Sequence, residues 1–435
     1  MHSTPDARAT TKRDVLKLAK ERNVRFVRLV FADILGVSKN VSIPASELEA
    51  ALDGRITFDG GSIDGFVRGE ELDMLLRPDP QTFAVYPWST PDGLEARLLC
   101  DIAMPDGSPF EGCPRTTLRR AIESAAPAIA SVAVGLEMEF YLFERHADEL
   151  GSTQTSDVGS YFDFSANDRG EEARNAIVAA LEGMGIHVAS AHHEHGAGQH
   201  EIDIAHDDPL RAADHALTAR TVAKHVAAGF GLDATFMPKP LEDRAGSGLH
   251  VDLRLAEGTD EETVLYAVGG LLAHAPATTA ICNPTVNSYK RLVAAWDAPI
   301  YPLWSRRSAN ALVRVLPTSP PRIEVRSPDP ACNPYLALAV LLGAATDGIA
   351  HARLPGDAWE GSTYELTERE QRERGVGMLP KSLRQAIAEL DEDPVVRAAL
   401  GDHLYHAFRD AKLAEYERYR RAVHPWERRA YLRLY

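Results

Sequence analysis

The segment Val134-Gly-Leu-Glu137-Met-Glu139-Phe-Tyr-Leu-Phe143 sets two carboxylates two residues apart in an apolar, strand-like run. Alternate strand side chains share a face, so Glu137 and Glu139 point the same way, with hydrophobic neighbours on the other side. Such a pair on a central strand repels itself unless a cation sits between the two. The pattern recurs. His192-His193-Glu194-His195 and Gln199-His200-Glu201-Ile202-Asp203 flank the turn Gly196-Ala197-Gly198, which returns two acidic strands side by side. Gly246-Ser247-Gly248-Leu249-His250-Val251-Asp252 alternates His and Asp after a glycine loop, and Arg322-Ile323-Glu324-Val325-Arg326 puts two arginines and a carboxylate on one face. Each alone has a plain reading, as a satisfied core histidine or a salt-bridged strand. Together they supply five glutamates and a histidine with no thiolate, a donor set that favours Mg²⁺ or Mn²⁺ over zinc. The histidine run lacks H-E-x-x-H on a helix, which argues against a zinc hydrolase. Carboxylates around two metals, with arginines opposite, suit phosphoryl transfer: the metals neutralise phosphate oxygens and guanidinium forks hold the transferring group or a substrate carboxylate. A G-x-x-x-x-G-K-[ST] loop is absent, so a P-loop site is excluded.

Elements that alternate along the chain must position these residues. A short amphipathic helix over 11–22 precedes the strand Val24–Phe31, a turn at Asp33–Gly36 and a second strand ending at Ile43-Pro44. The glycine-rich stretch Thr57–Phe66 reads as a loop, followed by strands near Phe83–Tyr86 and Arg97–Ile102. This small α+β unit ends near the turn Met104–Pro109. Beyond it come a helix over 117–130, the strand 132–143, a polar loop at 148–160, a helix over 171–184 and a strand over 186–193. Asp208-Pro209 caps a helix running to Gly229. Leu249–Leu255 and Ile323–Arg326 read as strands, Glu261–Ala275 and Pro334–Ala350 as helices, and the tail from Leu379 as mostly helical.

Composition bounds the rest. The 435 residues are 45% hydrophobic and 25% charged, enough for two domains with sizeable cores. A net charge of −16 makes coating of nucleic acid or anionic lipid a poor reading. Four scattered cysteines without a C-x-x-C pair fit a reducing cytoplasm. The first twenty residues have no apolar signal core, and the longest apolar runs fall short of the roughly 20 residues that span a bilayer.

The residues resemble those of the glutamine synthetase family, type I, of the subgroup called alpha. The likeness runs from about Val24 to Tyr435. It rests on Phe31-Ala-Asp-Ile-Leu-Gly36, Phe58-Asp-Gly-Gly-Ser-Ile-Asp-Gly-Phe66, Glu137-Met-Glu139, His192-His-Glu194, Gly198-Gln-His-Glu201, Ala234-Thr-Phe-Met-Pro-Lys-Pro240, Gly246-Ser-Gly-Leu-His250, Asn283-Pro-Thr-Val-Asn-Ser-Tyr-Lys-Arg291, Arg322-Ile-Glu-Val-Arg326 and Asn333-Pro-Tyr335. The resemblance implies an α+β chain: a small N-terminal β-grasp domain over 21–104 and a larger catalytic domain over 111–435 with a curved antiparallel sheet and surrounding helices. It implies a cytoplasmic homo-oligomer, a dodecamer of two hexameric rings with active sites between subunits. The implied reaction is ATP-dependent joining of glutamate and ammonium through a γ-glutamyl phosphate, with two or more Mg²⁺ or Mn²⁺ ions per site. Carried over by position, Glu137, His250 and Glu324 would hold one metal and Glu139, Glu194 and Glu201 the other. Arg291, Arg326 and Gly246 would grip glutamate. Arg314 and Arg322 would face the nucleotide, beside Asp252 and Arg254. Asp59, Ser62 and Tyr161 would meet ammonium, with Asp297 closing the site. Arg68 falls where the subgroup carries an arginine tied to glutamine feedback.

Several positions depart from the pattern. Asp297 stands for the usual glutamate and is one methylene shorter. Ala309 stands for an arginine, for which Arg306 or Arg307 could substitute. Ala245 stands for an asparagine, Ala189 for an acidic residue and Arg254 for a nucleotide-side serine. Losing one charge-assisted contact costs ~1.5–3 kcal/mol, roughly ten- to a hundred-fold in affinity or rate. Three readings follow: a glutamate–ammonia ligase, a γ-glutamyl ligase that takes an organic amine, or a non-catalytic regulatory paralogue. The aromatic tail from His424 to Tyr435 is expected to dock between rings.

Overall fold

The computed structural model describes residues 10–61, 63, 73–90, 93–126, 128–129, 131–145, 153–164, 168–319 and 321–435. Ser62 and Arg68 lie outside the described residues. Thr11 caps the first helix, Lys12–Glu21. Its hydroxyl accepts from the Asp14 N–H (3.2 Å) while the Asp14 carboxylate accepts from the Thr11 N–H (3.0 Å). That helix packs Val15 and Ala19 on a six-stranded sheet. The strands are β1 (Val24–Ala32), β2 (Ser38–Pro44), β3 (Thr57–Asp59), β4 (Asp73–Pro78), β5 (Ala84–Thr90) and β6 (Gly93–Ala103). They run in the order β2-β1-β6-β4-β3, with β5 also on β6, and only the β1–β6 pair is parallel. One expectation is corrected here. The start of the glycine-rich stretch is strand β3, because Phe58 packs on Phe31 (4.8 Å between rings) and so holds the segment against β4 before the glycines end it.

The sheet has two working faces. One closes the N-terminal core around Leu29, Leu76 and Leu98; the other sends Val30, Tyr86 and Leu99 into the core of the second domain. The second domain is built on eight strands: β7 (Val132–Glu144), β8 (Val188–His193), β9 (Gln199–Asp207), β10 (Leu232–Thr235), β11 (Leu249–Leu255), β12 (Trp304–Ser305), β13 (Val313–Leu316) and β14 (Arg322–Val325). Their order is β12-β13-β14-β11-β7-β9-β8, with β10 on β7, and every pairing but the two-residue β12–β13 contact is antiparallel. The long strand β7 sits at the centre because its apolar run can be buried on both faces.

Helices cover the back of this sheet. The helix Pro334–Ala350 is almost wholly buried and crosses the helix Glu261–Ala273 at a glycine pair. A Cβ at Gly348 would stand 2.1 Å from the Tyr266 carbonyl oxygen, and one at Gly270 as close to that of Ala344. The single helix expected over Glu261–Ala275 breaks at His274 and resumes as Ala275–Cys282 after a 72° bend. Pro276 lacks the N–H that a continuous helix needs there. His274 is also tied sideways, to Asp393 (2.7 Å) and Asp347 (3.0 Å). Among the described residues no single helix is long and apolar enough to cross a membrane.

Candidate active site

The register of the large sheet gathers the acidic residues. Glu137 on β7 faces His250 on β11 and Asp203 on β9, and Glu139 faces Glu201. His250 Nδ1 lies 3.0 Å from Glu137 Oε2 and 3.7 Å from Glu324 Oε1, and its Nε2 lies 3.7 Å from Glu139 Oε1. Glu137, His250 and Glu324 thus offer ligand atoms within 4.8 Å of one another. Glu139, Glu194 and Glu201, together with Glu137 and His250, line a cavity of about 200 Å³. His192 stands between the last two, 3.7 Å from Glu194 and 3.4 Å from Glu201.

Charge in this group is unevenly compensated. Burial pushes Glu137 up, but the His250 hydrogen bond and the nearby Arg326 and Arg314 outweigh it and bring it to about 2. Burial and the Glu139 charge push Glu194 up to about 8. Glu201 is driven well above the carboxylate range by burial, then by Glu139, Asp203 and Glu194. The side chains of Glu194 and Glu201 are only 9% exposed. Buried carboxylates this poorly compensated fit a divalent cation, and the all-oxygen set with one imidazole fits Mg²⁺ or Mn²⁺.

Opposite stand three arginines. Arg314 Nε and Arg326 Nη1 each donate to one oxygen of the fully buried Glu324, both at 2.5 Å. Arg291 donates to the carbonyls of Ser327 (2.8 Å) and Arg326 (3.0 Å), so its guanidinium is held by backbone, with no carboxylate bond among the described residues. Gly246, Asp297 and Tyr161 complete the wall, with Tyr161 stacked on His195 at 4.3 Å. Trp296 and Asp297 have φ of 48° and 56°, a conformation that costs roughly 1–3 kcal/mol per non-glycine residue.

Other expected residues lie elsewhere. Asp252, Arg254 and Arg322 form a second patch two residues along β11 and β14. There Arg322 pairs with Asp252 (3.0 Å) and Arg254 donates to His206 (3.2 Å). The buried Arg322 Nε has no hydrogen-bond partner among the described residues. Asp59 does not line the cavity of its own chain; its carboxylate accepts from the Gly61 N–H at 2.7 Å. Ala245 and Ala309 do line it, while Ala189 is exposed on β8. Neither candidate to stand in for the missing arginine reaches the wall: Arg306 pairs with Glu261 and Arg307 is exposed.

Three supports were not anticipated from the chain. Gln199, fully buried, donates to Glu139 (3.0 Å) and to the Gly246 carbonyl (3.1 Å). The Gly248 N–H donates to Glu139 (3.0 Å), and a Cβ there would stand 2.7 Å from Arg291 Nη2 and 3.1 Å from Glu139 Oε1. Tyr141 donates to the Ala245 carbonyl at 2.7 Å. The only sequence signal was that Gln199 and Gly248 sit inside the recurring motifs.

Two other regions have the residue types but not the chemistry. A cavity of about 1200 Å³ between the domains is lined by Arg115, Arg119, Asp79, Asp101 and Asp214, which pair with one another. Behind β8 and β9, Asp157, Asp168, His193 and His200 cluster within 4.8 Å. There Arg174 donates to Asp168 (2.8 Å) and to His200 Nδ1 (2.7 Å). A neutral His200 must then carry its proton on Nε2 and cannot ligate.

Fold and site together define a two-domain α+β chain whose sheet-borne carboxylates fit divalent cations. Residues 111–431 match the family described as glutamine synthetase, catalytic domain, and residues 23–105 the glutamine synthetase beta-Grasp domain. The chain belongs to the glutamine synthetase family. It is 46% identical to a glutamine synthetase of Thermus thermophilus, over 98% of this chain and 99% of that one. To a glutamine synthetase of Methanosarcina mazei it is 43% identical over the same shares. Among solved structures it is similar to a GmaS/ADP complex, with a TM-score of 0.86, 30% identity and coverage of 96% of this chain and 99% of the other. A Plasmodium falciparum glutamine synthetase shares the fold, with a TM-score of 0.85 at 23% identity over 99% and 100% of the chains.

Proposed function

We propose that this chain is an ATP-dependent glutamate–ammonia ligase. The observation that carries the reading is the cavity in which buried, under-compensated carboxylates face Arg291, Arg314 and Arg326. Glu137, His250 and Glu324 would hold one cation and Glu139, Glu194 and Glu201 another. Bound there, the cations supply neutralisation of phosphate oxygens. Arg291 and Arg326, with the Gly246 backbone, would orient glutamate. Its γ-carboxylate oxygen attacks the terminal phosphorus of ATP, releasing ADP and leaving an acyl phosphate. Arg314, with Arg322 in the patch beyond, would face the phosphates. The nitrogen of ammonia then adds to the γ-carbonyl carbon, the bond to phosphate breaks, and the proton lost from nitrogen passes to Asp297 or to Asp59. Asp59 is absent from the cavity of its own chain, which supports its arrival from a neighbouring copy, as in a dodecamer of two hexameric rings.

A second reading has its own support. Ala245 and Ala309 line the cavity with short side chains, which leaves room for an organic amine in place of ammonium. The test is product formation from ATP, glutamate and Mg²⁺ or Mn²⁺ with ammonium, putrescine, ethanolamine or methylamine. Glutamine formed chiefly with ammonium is the expected result. Amide formed only with an organic amine would replace the reading with the second, and no product with any of them would overturn both.

A further inference from the structure

Trp296 and Asp297 are consecutive non-glycine residues at positive φ, and both line the cavity. Such a pair persists only where its surroundings over-determine it. Two side chains from outside the loop 293–298 do this. The Tyr364 hydroxyl shares its one proton between the carbonyls of Ala298 (2.8 Å) and Ala295 (3.2 Å), clipping the ends of the strained turn together. Lys239 places Nζ 3.8 Å from the centre of the Trp296 ring and donates to the Arg244 carbonyl. Lys239 is itself fixed: its N–H donates to Asn287 Oδ1 (2.8 Å) and its carbonyl accepts from Asn287 Nδ2 (3.0 Å). It opens the segment that ends at Ala245 and Gly246, which are also part of the cavity wall. The Lys239–Trp296 contact therefore joins that segment to the loop.

We infer that Tyr364 and Lys239 are positioning residues that latch this loop over the cavity, holding Asp297 in place and keeping water from the acyl phosphate. The inference rests on the ligase reading. When the loop opens, a water oxygen adds to the γ-carbonyl carbon in place of nitrogen and the bond to phosphate breaks. Glutamate, inorganic phosphate and a proton leave, so ATP is spent with no amide formed. The latch thus sets coupling as well as rate.

The full chain tests this as wild type, Tyr364→Phe, Lys239→Met and Lys239→Arg. Phosphate and γ-glutamyl amide are measured together, with acrylamide quenching of tryptophan read against a Trp296→Phe control. The wild type is expected to release phosphate and amide in equal amounts. Tyr364→Phe and Lys239→Met raise the phosphate-to-amide ratio severalfold, and Lys239→Arg, which keeps a cation on the ring, restores it. Quenching of Trp296 rises in Lys239→Met and falls back in Lys239→Arg. A ratio unchanged in both Tyr364→Phe and Lys239→Met, or Trp296 quenching unchanged in Lys239→Met, would overturn the latch. A wild-type chain that forms no amide would fail the ligase reading separately. Quenching alone then decides, a rise in Lys239→Met supporting the latch and no change overturning it.

Discussion

Two buried clusters of acids and histidines meet at β8 and β9, where His193 and His200 stand next in the chain to Glu194 and Glu201, and only one suits a cation. In the first, Glu139, Glu194 and Glu201 share a cavity, and burial with the Glu139 charge pushes the pKa of the Glu194 and Glu201 carboxyls above the normal carboxylate range. In the second, Asp157 accepts N–H bonds from Gly198 (2.7 Å) and Gly159 (2.9 Å) and pairs with His193 (3.0 Å), while Arg174 closes the far side. Those donors, with burial opposing them, leave Asp157 at about 2. The residue types are alike. What separates the clusters is compensation: one has donors for its charges, the other lines a cavity and has too few cations among the described residues. A site built for an external ion carries its missing charge as electrostatic strain, and a structural cluster does not.

That contrast is broken most severely by exchanging the behaviour of the two clusters. Glu201→Gln removes a cavity carboxylate and is expected to lower kcat/KM by roughly 10²–10³-fold. The melting temperature without metal stays level or rises, because the cost of either charging or protonating that buried carboxyl has gone; a fall of several degrees would count against strain at this site. Asp157→Ala should do the reverse. It strands His193 and two backbone N–H groups and costs about 3–5 kcal/mol in a urea midpoint, while Mn²⁺ affinity of the folded fraction changes little. A loss of Mn²⁺ binding to match Glu201→Gln would show that the clusters are not separable.

A smaller effect sharpens the same point at a third cluster. Pairing with Asp393 and Asp347 outweighs burial and raises His274, while its bonds lower Asp347 and Asp393 against the same opposition. The raised histidine contributes stability in full below its unfolded pKa near 6.5, and loses it as pH rises through the higher folded value. The lowered aspartates contribute above their unfolded value near 3.8 and lose it as pH falls through the lower folded one. His274→Gln should therefore cost about 2 kcal/mol near pH 6 and clearly less at pH 9. An equal cost at both would mean that the imidazole acts by shape alone.

Much of this site was readable because its residues obey the strand period of two. Glu137, Glu139, His250 and Glu324 fall on strands whose alternation sets them on one face, and register in an antiparallel sheet brings such faces together. Less was readable where three-dimensional neighbours decide. Nothing in the run from His192 to His200 tells which histidine borders the cavity and which is sealed by Arg174, because Arg174 comes from a helix some twenty residues earlier. Nor does composition reveal that Gln199 and Gly248 support Glu139, or that Lys239 reaches Trp296 across 57 positions, 296 minus 239. The short strand β3 was missed because two glycines follow it, and the break at His274 because the apolar run continues through Pro276.

The central claim is that under-compensated carboxylates around one cavity make the cation site. Titration of Mn²⁺ into the full chain, followed by electron paramagnetic resonance, tests it most directly in wild type, Glu201→Gln and Asp157→Asn. The account predicts two ions per chain in wild type, at least one lost in Glu201→Gln, and both kept in Asp157→Asn. Undiminished binding in Glu201→Gln, or loss in Asp157→Asn with the fold intact, would contradict it.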